Sequence, residues 1–301
     1  MELQTVVDMV KSSSCVLGVV VGMLVVAWAQ SGAGGHGLGA ARDIVARWQT
    51  TTLSQLLCGG DDDDDHCPNL GNDGSCGLEV IEASGWRWDN FSEAYRDTPV
   101  VLMLDEEVMA HFAAVTEREA LLASMGNAMV TLSSSNTHSY TKVRGMLADY
   151  VTEEMPKAGS TSDAEDSFYL FGDHSAEWYG FIDEHYTMPA VAASAPIVSP
   201  SFGIGGDGSG VAFHTHGPAF AHVVHGRKRW FLSPPDIQPD FDPSVTTSAW
   251  LASERYTAST RAAGSTWIDC TLGPREMLFI PSGWWHATLN LGDTVFISLF
   301  V

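Results

Sequence analysis

Two short stretches decide how this chain is interpreted: FHTHG at residues 213–217 and IPSGWWHATLNL at residues 280–291. His214 and His216 are two residues apart in β-like sequence, and residues two apart on a strand point to the same face. His286 follows a Pro-Ser-Gly turn in a second candidate strand region. Because a barrel can place two such strands side by side, we expect a metal pocket with three imidazole ligands, which suits Fe(II), Zn, Ni or Cu.

Strand-like sequence surrounds both stretches. After residue 200, short apolar runs such as SFGIGG, AFAHVVHG, KRWFLSP, MLFIP and TVFISLFV are separated by Gly, Pro and Asp. Before it, we expect helices over 91–96, 116–124 and 142–154 and strands at 99–104 and 128–132. The pattern predicts an α+β, mainly β protein, with helical and strand additions at 78–199 in front of an antiparallel barrel or sandwich at 200–301.

The first 29 residues are typical of a secretory signal peptide. Residues 15–29 carry no charge, and Ala27-Trp28-Ala29 supplies the small residues of a cleavage site. These fifteen apolar residues are fewer than the ~20 that span a bilayer, so we expect cleavage. An uncleaved signal anchor is the alternative, because the segment before residue 15 is not basic. A flexible Gly- and Asp-rich linker is expected over 30–77.

The charge of the chain narrows the range of partners. Its 15 Lys and Arg residues against 37 Asp and Glu residues give a net charge of −22. Such a surface repels phosphate backbones, so we expect no nucleic-acid partner. A protein partner or a protein substrate is expected instead, and a membrane only if the signal stays uncleaved.

Four cysteines lie beyond the expected signal: Cys58, Cys67, Cys76 and Cys270. An even number in an exported chain indicates disulfides, but four cysteines allow three pairings and the sequence alone does not choose among them. Asn90 opens an Asn-Phe-Ser glycosylation sequon, which is used only if the chain enters the secretory pathway.

Several motifs resemble the JmjC family of cupin-type proteins. Gly208-x5-His214-x-His216 and Pro281-x-Gly283-x2-His286-x3-Asn290 are similar to the two cupin motifs. GRKRWFLSPP at 226–235, together with IPSGWWHATLNL, resembles JmjC domains more specifically. SMGNAMVTLSSSNTHSYTKV, FYLFGD and SFGIGGDGSGVAFHTHGPAF resemble a branch of the family that resides in the endoplasmic-reticulum lumen. The likeness runs from about Cys76 to the C-terminus.

The resemblance implies a double-stranded β-helix that binds Fe(II) and 2-oxoglutarate. His214 matches the first metal ligand of the family and His286 the last, while His216 stands where the family has an aspartate. Lys228 matches the lysine that pairs with the far carboxylate of 2-oxoglutarate. The resemblance also implies residence in the endoplasmic-reticulum lumen and a disulfide between Cys76 and Cys270.

Three positions depart from the catalytic pattern and leave three functions open. His216 removes a negative charge from the metal shell, Val211 replaces a hydroxyl residue, and Phe300 replaces an asparagine. The first function is an Fe(II)/2-oxoglutarate protein hydroxylase, and the second is a non-catalytic lumenal scaffold that keeps the fold. The third is a metalloprotein that needs no 2-oxoglutarate, in which His222 adds a further ligand.

Overall fold

A computed structural model describes residues 76–160 and 167–301 of the protein. The expected signal at 1–29, the expected linker as far as residue 75, and Cys58 and Cys67 lie outside the described residues. Within the described part, no helix is both long and apolar enough to cross a membrane.

Two long antiparallel strands form the centre of the fold. Strands β7 (Ala219–Ser233) and β10 (Trp285–Phe300) pair along their whole length, with a bulge after Leu291. Gly226 has a φ of 72°, and a Cβ there would collide with the carbonyl of Asp293 in β10. A bulge bends a strand and strengthens its twist. Each strand therefore contributes to both layers of a barrel, as a double-stranded β-helix requires.

The remaining strands extend the sheet on both sides of this pair. Its order is β1-β2-β9-β7-β10-β6-β5-β3-β4, with β8 also paired to β7, and only β1 and β2 are parallel to each other. The bounds are β1 Val80–Glu82, β2 Val100–Met103, β3 Met129–Ser134, β4 Lys142–Met146, β5 Phe168–Phe171, β6 Ser199–Gly205, β8 Ile268–Leu272 and β9 Glu276–Ile280. The cupin-like, mainly β fold that the sequence predicts is confirmed.

Helices cover the outer faces of the barrel. They are α1 Trp88–Ala94, α2 Glu106–Thr116, α3 Arg118–Met125, α4 Leu147–Asp149, α5 Ala176–His185, α6 Ala190–Ala193, α7 Thr247–Leu251 and α8 Glu254–Ala263. Side-chain caps define where α2, α5, α7 and α8 begin, because Asp105, Ser175, Thr246 and Ser253 each accept a backbone N–H of the first turn. The first six helices pack on one layer, and α7 and α8 cover Phe213 and Phe231 on the other.

The helix expected over 142–154 is wrong in its first part. Residues Lys142–Met146 form β4, the edge strand beside β3, and only then does the chain turn through α4 and a π-helix at Tyr150–Glu154. Pairing with β3 overrides the helical pattern here, since tertiary contacts decide short segments. Helix α2 was not expected over most of its length.

A disulfide joins Cys76 to Cys270, with Cα atoms 4.5 Å apart. It attaches the first described residue to β8, and both cysteines pack in the barrel interior beside Trp230. The bond is the one that the family resemblance implied.

Candidate metal centre

Three imidazoles meet at one end of the barrel. One ligand nitrogen from each of His214, His216 and His286 lies within 4.8 Å of the others. His214 is positioned by two backbone hydrogen bonds of 3.1 and 3.0 Å to His286, which make an isolated bridge. The two histidines of the HTH motif lie outside the regular strands, so the expectation that strand parity aims both rings at one point is wrong. The bridge between His214 and His286 and the irregular segment from His214 to His216 bring the three rings together.

All three imidazoles are held in the same tautomer. Each Nδ1 lies within hydrogen-bond distance of a backbone carbonyl: Ala212 at 3.0 Å for His214, Gly217 at 2.6 Å for His216, and Trp284 at 2.9 Å for His286. A carbonyl only accepts, so each Nδ1 carries the proton and donates it. Every Nε2 therefore presents a free lone pair, the arrangement that outer-shell carbonyls give to metal-binding histidines.

Burial keeps these imidazoles neutral. It lowers the pKa of His214 to about 4, with a smaller contribution from neighbouring charges, and it also lowers the pKa of His216. The pKa of His286 lies well below its usual value, mainly because of burial and then because of His214 and His216. Metal ligation needs unprotonated nitrogens. The donors, tautomers and charge state thus fit a divalent first-row ion.

Lys228 also points into the barrel, at a position of β7 that pairs with Asn290, four residues beyond His286 on β10. Its side chain is buried on β7, and Nζ donates to Oδ1 of Asn290 at 2.9 Å. Asn290 is fixed in turn, because its Nδ2 donates to the hydroxyl of Ser209 at 2.9 Å. Burial lowers the pKa of Lys228 to about 7.

The space in front of Lys228 is taken by an aromatic ring. The centroid of the Phe296 ring lies 3.8 Å from Nζ. Gly203 on β6 faces this ring so closely that a Cβ there would collide with it, and the ring of Phe171 stacks on it with centroids 5.5 Å apart. The far carboxylate of 2-oxoglutarate would need the place that this ring occupies. The residues present therefore do not fit 2-oxoglutarate in the way the resemblance implied.

His222 does not join the three imidazoles, which corrects the expected extra ligand. It packs with Phe220 and Val224 toward the outer helices, where its Nδ1 lies 3.4 Å from the hydroxyl of Tyr186. Burial lowers its pKa to about 3. The bend at Gly226 reverses strand parity, so His222 faces outward although Lys228, an even number of residues away, faces inward.

The two other departures from the catalytic pattern are also placed by the structure. The ring of Phe300 lies edge-on to His216 at 5.0 Å, and the backbone N–H of Val211 bonds the hydroxyl of Thr288 at 3.2 Å. Sequence reasoning identified Phe300 but missed Phe296. Their spacing of four residues on one strand is the signal that would have found it, since both then face the same side.

Asn90 lies exposed on the first turn of α1, where its Oδ1 accepts the N–H of Arg87 at 3.1 Å. Its glycosylation stays a prediction that depends on entry of the chain into the secretory pathway.

The fold is a double-stranded β-helix in which an HxH motif and a distal histidine converge. This combination defines a cupin-type protein. More narrowly, the chain belongs to the cupin-like JmjC family, whose cupin-like domain matches residues 84–300. It is 43% identical to JmjC domain-containing protein 8 of Homo sapiens over 192 residues, which cover 64% of this chain and 72% of that protein. It is 40% identical to the Mus musculus protein of the same name over 214 residues, 71% of this chain and 78% of the relative. A more distant relative is the bifunctional arginine demethylase and lysyl-hydroxylase psr-1 of Caenorhabditis elegans, 30% identical over 111 residues, 30% of this chain and 26% of that protein.

Proposed function

We propose that this chain is a lumenal metal-binding protein that uses the JmjC fold to bind a protein partner, without 2-oxoglutarate as co-substrate. The observation that carries the proposal is the Phe296 ring 3.8 Å from Nζ of Lys228. It closes the position that a co-substrate carboxylate needs, while the three-imidazole cluster remains intact.

The ligand set favours a metal that imidazole binds well. His214, His216 and His286 contribute no negative charge, whereas a His-x-Asp pair contributes one. In the affinity order of the divalent first-row metals, Fe(II) binds weakly, whereas Zn(II) and Cu(II) bind strongly. A bound ion would link the segment around His214 to β10 and would act as a Lewis acid toward a ligand at its open position.

Two costs oppose 2-oxoglutarate at the other end of the barrel. The side chain of Phe296 would have to leave a closely packed place against Gly203, which costs buried area and packing. Lys228 would also have to carry a full charge, although burial lowers its pKa to about 7. Neither Asn290 nor Ser209 can supply the positive charge that a second carboxylate prefers.

An Fe(II)/2-oxoglutarate protein hydroxylase is the second candidate. It is supported by the names of the relatives, which include a lysyl-hydroxylase and an arginine-specific demethylase. Lys228 also remains in the barrel interior with the metal cluster. A metalloprotein with four histidine ligands has less support, because His222 faces the outer helices.

The location and partner class rest on the sequence. The apolar leader with its Ala-Trp-Ala site supports entry into the endoplasmic-reticulum lumen, and the disulfide between Cys76 and Cys270 is compatible with that oxidising compartment. The net charge of −22 supports a protein partner over a nucleic acid.

The test is metal titration followed by co-substrate titration. Protein purified without a His-tag or chelator is titrated with Zn(II) in a calorimeter, and then the metal-loaded protein is titrated with 2-oxoglutarate. We expect saturable metal binding that His286→Ala weakens at least about tenfold, since one of three ligands is lost. His222→Gln is the matched control and should bind as the parent does.

No saturable 2-oxoglutarate binding is expected in the second titration. Binding that disappears in Lys228→Met would overturn the proposal and favour the hydroxylase. Equal Zn(II) affinity of the parent and His286→Ala would show that the three histidines do not form the metal site.

A further inference from the structure

Two histidines meet on the helices that cover the barrel, and neither belongs to the three-imidazole cluster. His111 lies on α2, and His185 is the last residue of α5. Nε2 of His111 lies 3.0 Å from Nδ1 of His185, and the ring centroids are 5.2 Å apart. His111 is exposed and His185 is half-buried, so ions in the solvent can reach both rings.

The packing of α2 against α5 holds the two rings together. The residues that directly follow the histidines, Phe112 and Tyr186, are buried, and their ring centroids lie 4.8 Å apart. Phe181 lies one turn before His185, and its ring contacts those of His185 at 4.8 Å and Phe112 at 6.5 Å. The core therefore fixes the backbone under both imidazoles. Ligands that are positioned in advance lose less entropy when they bind an ion.

The distance between the facing nitrogens suits two ligands of one ion. Two nitrogens that each lie 2.0–2.1 Å from a zinc ion, at tetrahedral or right angles, are about 2.8–3.4 Å apart. The observed 3.0 Å lies within this range. A neutral imidazole carries one proton, which either nitrogen can hold. Both rings can thus place the proton on the nitrogen that faces away, so that an ion replaces the proton of the hydrogen bond.

The charges on both helices favour a cation. Neither α2 nor α5 contains a lysine or arginine, whereas the two helices carry the carboxylates of Glu106, Glu107, Glu177, Asp183 and Glu184. Glu106 pairs with Arg275 at 3.2 Å, and among the described residues no ion pair holds the other four. Glu107 lies one turn before His111 on the same face of α2. His185 ends α5, where the negative end of the helix dipole also attracts a cation.

We propose that His111 and His185 form a second metal site, for a divalent ion that imidazole binds well, such as Zn(II), Ni(II) or Cu(II). The site goes beyond the proposed function, because it uses neither the barrel cluster nor its ligands. The two imidazoles supply two ligands, and water completes the shell. A bound ion ties α2 to α5. With two protein ligands instead of three, this site binds its ion more weakly than the cluster does.

Calorimetric titration with Zn(II) tests the site in the full chain, purified without a His-tag, at about pH 7.5, where ligation meets unprotonated imidazole. We expect the parent to bind two ions per chain. His286→Ala should retain the weaker site and His111→Gln the tighter one. Glutamine suits a helix and can still hydrogen-bond to His185, but it lacks an imidazole. In His286→Ala, the added His111→Gln should weaken the remaining site at least about tenfold, the loss that follows even from changes outside a ligand shell.

His138→Gln in the same His286→Ala background is the matched control, because His138 is an exposed histidine on the loop between β3 and β4. It should leave the Zn(II) affinity unchanged. Equal affinities of His286→Ala with and without His111→Gln overturn the inference, and so does a folded His286→Ala that binds no Zn(II). If His286→Ala does not fold, the parent is compared with His111→Gln, and equal numbers of bound ions overturn the inference.

Hydrogen exchange adds a readout of the link between the helices. Zn(II) should slow the exchange of amides in α2 and α5 of His286→Ala, but not when His111→Gln is also present. Unchanged exchange in both variants contradicts a link through the ion. The titrations also separate the two proposals. Binding that is lost in His111→Gln and complete in His286→Ala supports the second site and counts against the proposed function, and the reverse pattern overturns the second site alone.

Discussion

Nζ of Lys228 lies 3.8 Å from the centroid of the Phe296 ring, and both side chains are buried in the barrel. The resemblance assigns Lys228 to the far carboxylate of 2-oxoglutarate. The lysine is present, but the face of an aromatic ring lies where that carboxylate is expected. The ring face stabilises a charged ammonium, but less than a carboxylate would in the same interior. The pair explains why the retained lysine alone does not indicate a working co-substrate site.

Phe296→Thr should open the space in front of Lys228. The substitution removes the ring and leaves a hydroxyl that can bond a carboxylate, so we expect 2-oxoglutarate binding that the parent lacks. The protein should also lose about 3 kcal/mol of stability, as is usual for a large-to-small change in a core. Calorimetric titration of the metal-loaded variant measures the gain.

Phe296→Leu is the control for this variant, because leucine keeps the space filled. It should not bind 2-oxoglutarate. If the threonine variant folds and still shows no binding, the ring is not the group that excludes the co-substrate.

Lys228 should make stability depend on pH in the alkaline range. Its pKa is about 7 in the folded chain against 10.5 for an ordinary lysine, because burial disfavours the charged form. Between these values the unfolded chain binds a proton that the folded chain does not. The free energy of unfolding therefore rises with pH in this window, by at most about 1.4 kcal/mol per pH unit. Below about pH 7 both states are protonated and the slope disappears.

Urea unfolding at about pH 7.5 and pH 9 checks this slope, a range below the ordinary titration of tyrosine. Lys228→Met removes the titrating group and should show a smaller rise across the same interval. Equal rises in the parent and the variant would mean that the lysine stays charged in the fold.

Much of the fold could be predicted from the sequence, because its signals are local. The alternating apolar runs after residue 200 indicated β6, β7, β9 and β10, and the Gly and Pro residues between them marked the turns. The paired motifs around His214 and His286 indicated which ends of the strands meet. Helices α7 and α8, which separate β7 from β8, carry no comparable signal.

The interior of the barrel was harder to predict, because side-chain direction depends on the bends. Counting residues along β7 places His222 and Lys228 on one face, but the positive φ of Gly226 reverses the alternation between them. The ring of Phe296 fills the space in front of Lys228 only because the strand register places it opposite Gly203. Such long-range pairings are not visible in one sequence.

His216→Asp should strengthen metal binding. The substitution adds a negative charge to the cluster, and opposite charges attract strongly in a buried site. We expect at least a tenfold gain in affinity for Fe(II) or its stand-in Mn(II), measured by anaerobic calorimetry. His216→Asn, which is nearly isosteric with aspartate but uncharged, is the control and should not gain. Equal affinities of His216→Asp and the parent would show that the cluster is structural.

The disulfide between Cys76 and Cys270 should stabilise the fold through the unfolded state. It closes a loop with a sequence separation of 194 residues, so its loss should cost roughly 2–5 kcal/mol. Urea unfolding of Cys76→Ala, Cys270→Ala and the double variant forms a cycle that isolates the bond. Because either single substitution already removes the bond, the double variant should be little less stable than the singles. If the losses in the free energy of unfolding simply add in the double variant, the two sulfurs act independently. An unchanged free energy of unfolding in Cys76→Ala would show that the bond does not stabilise the fold.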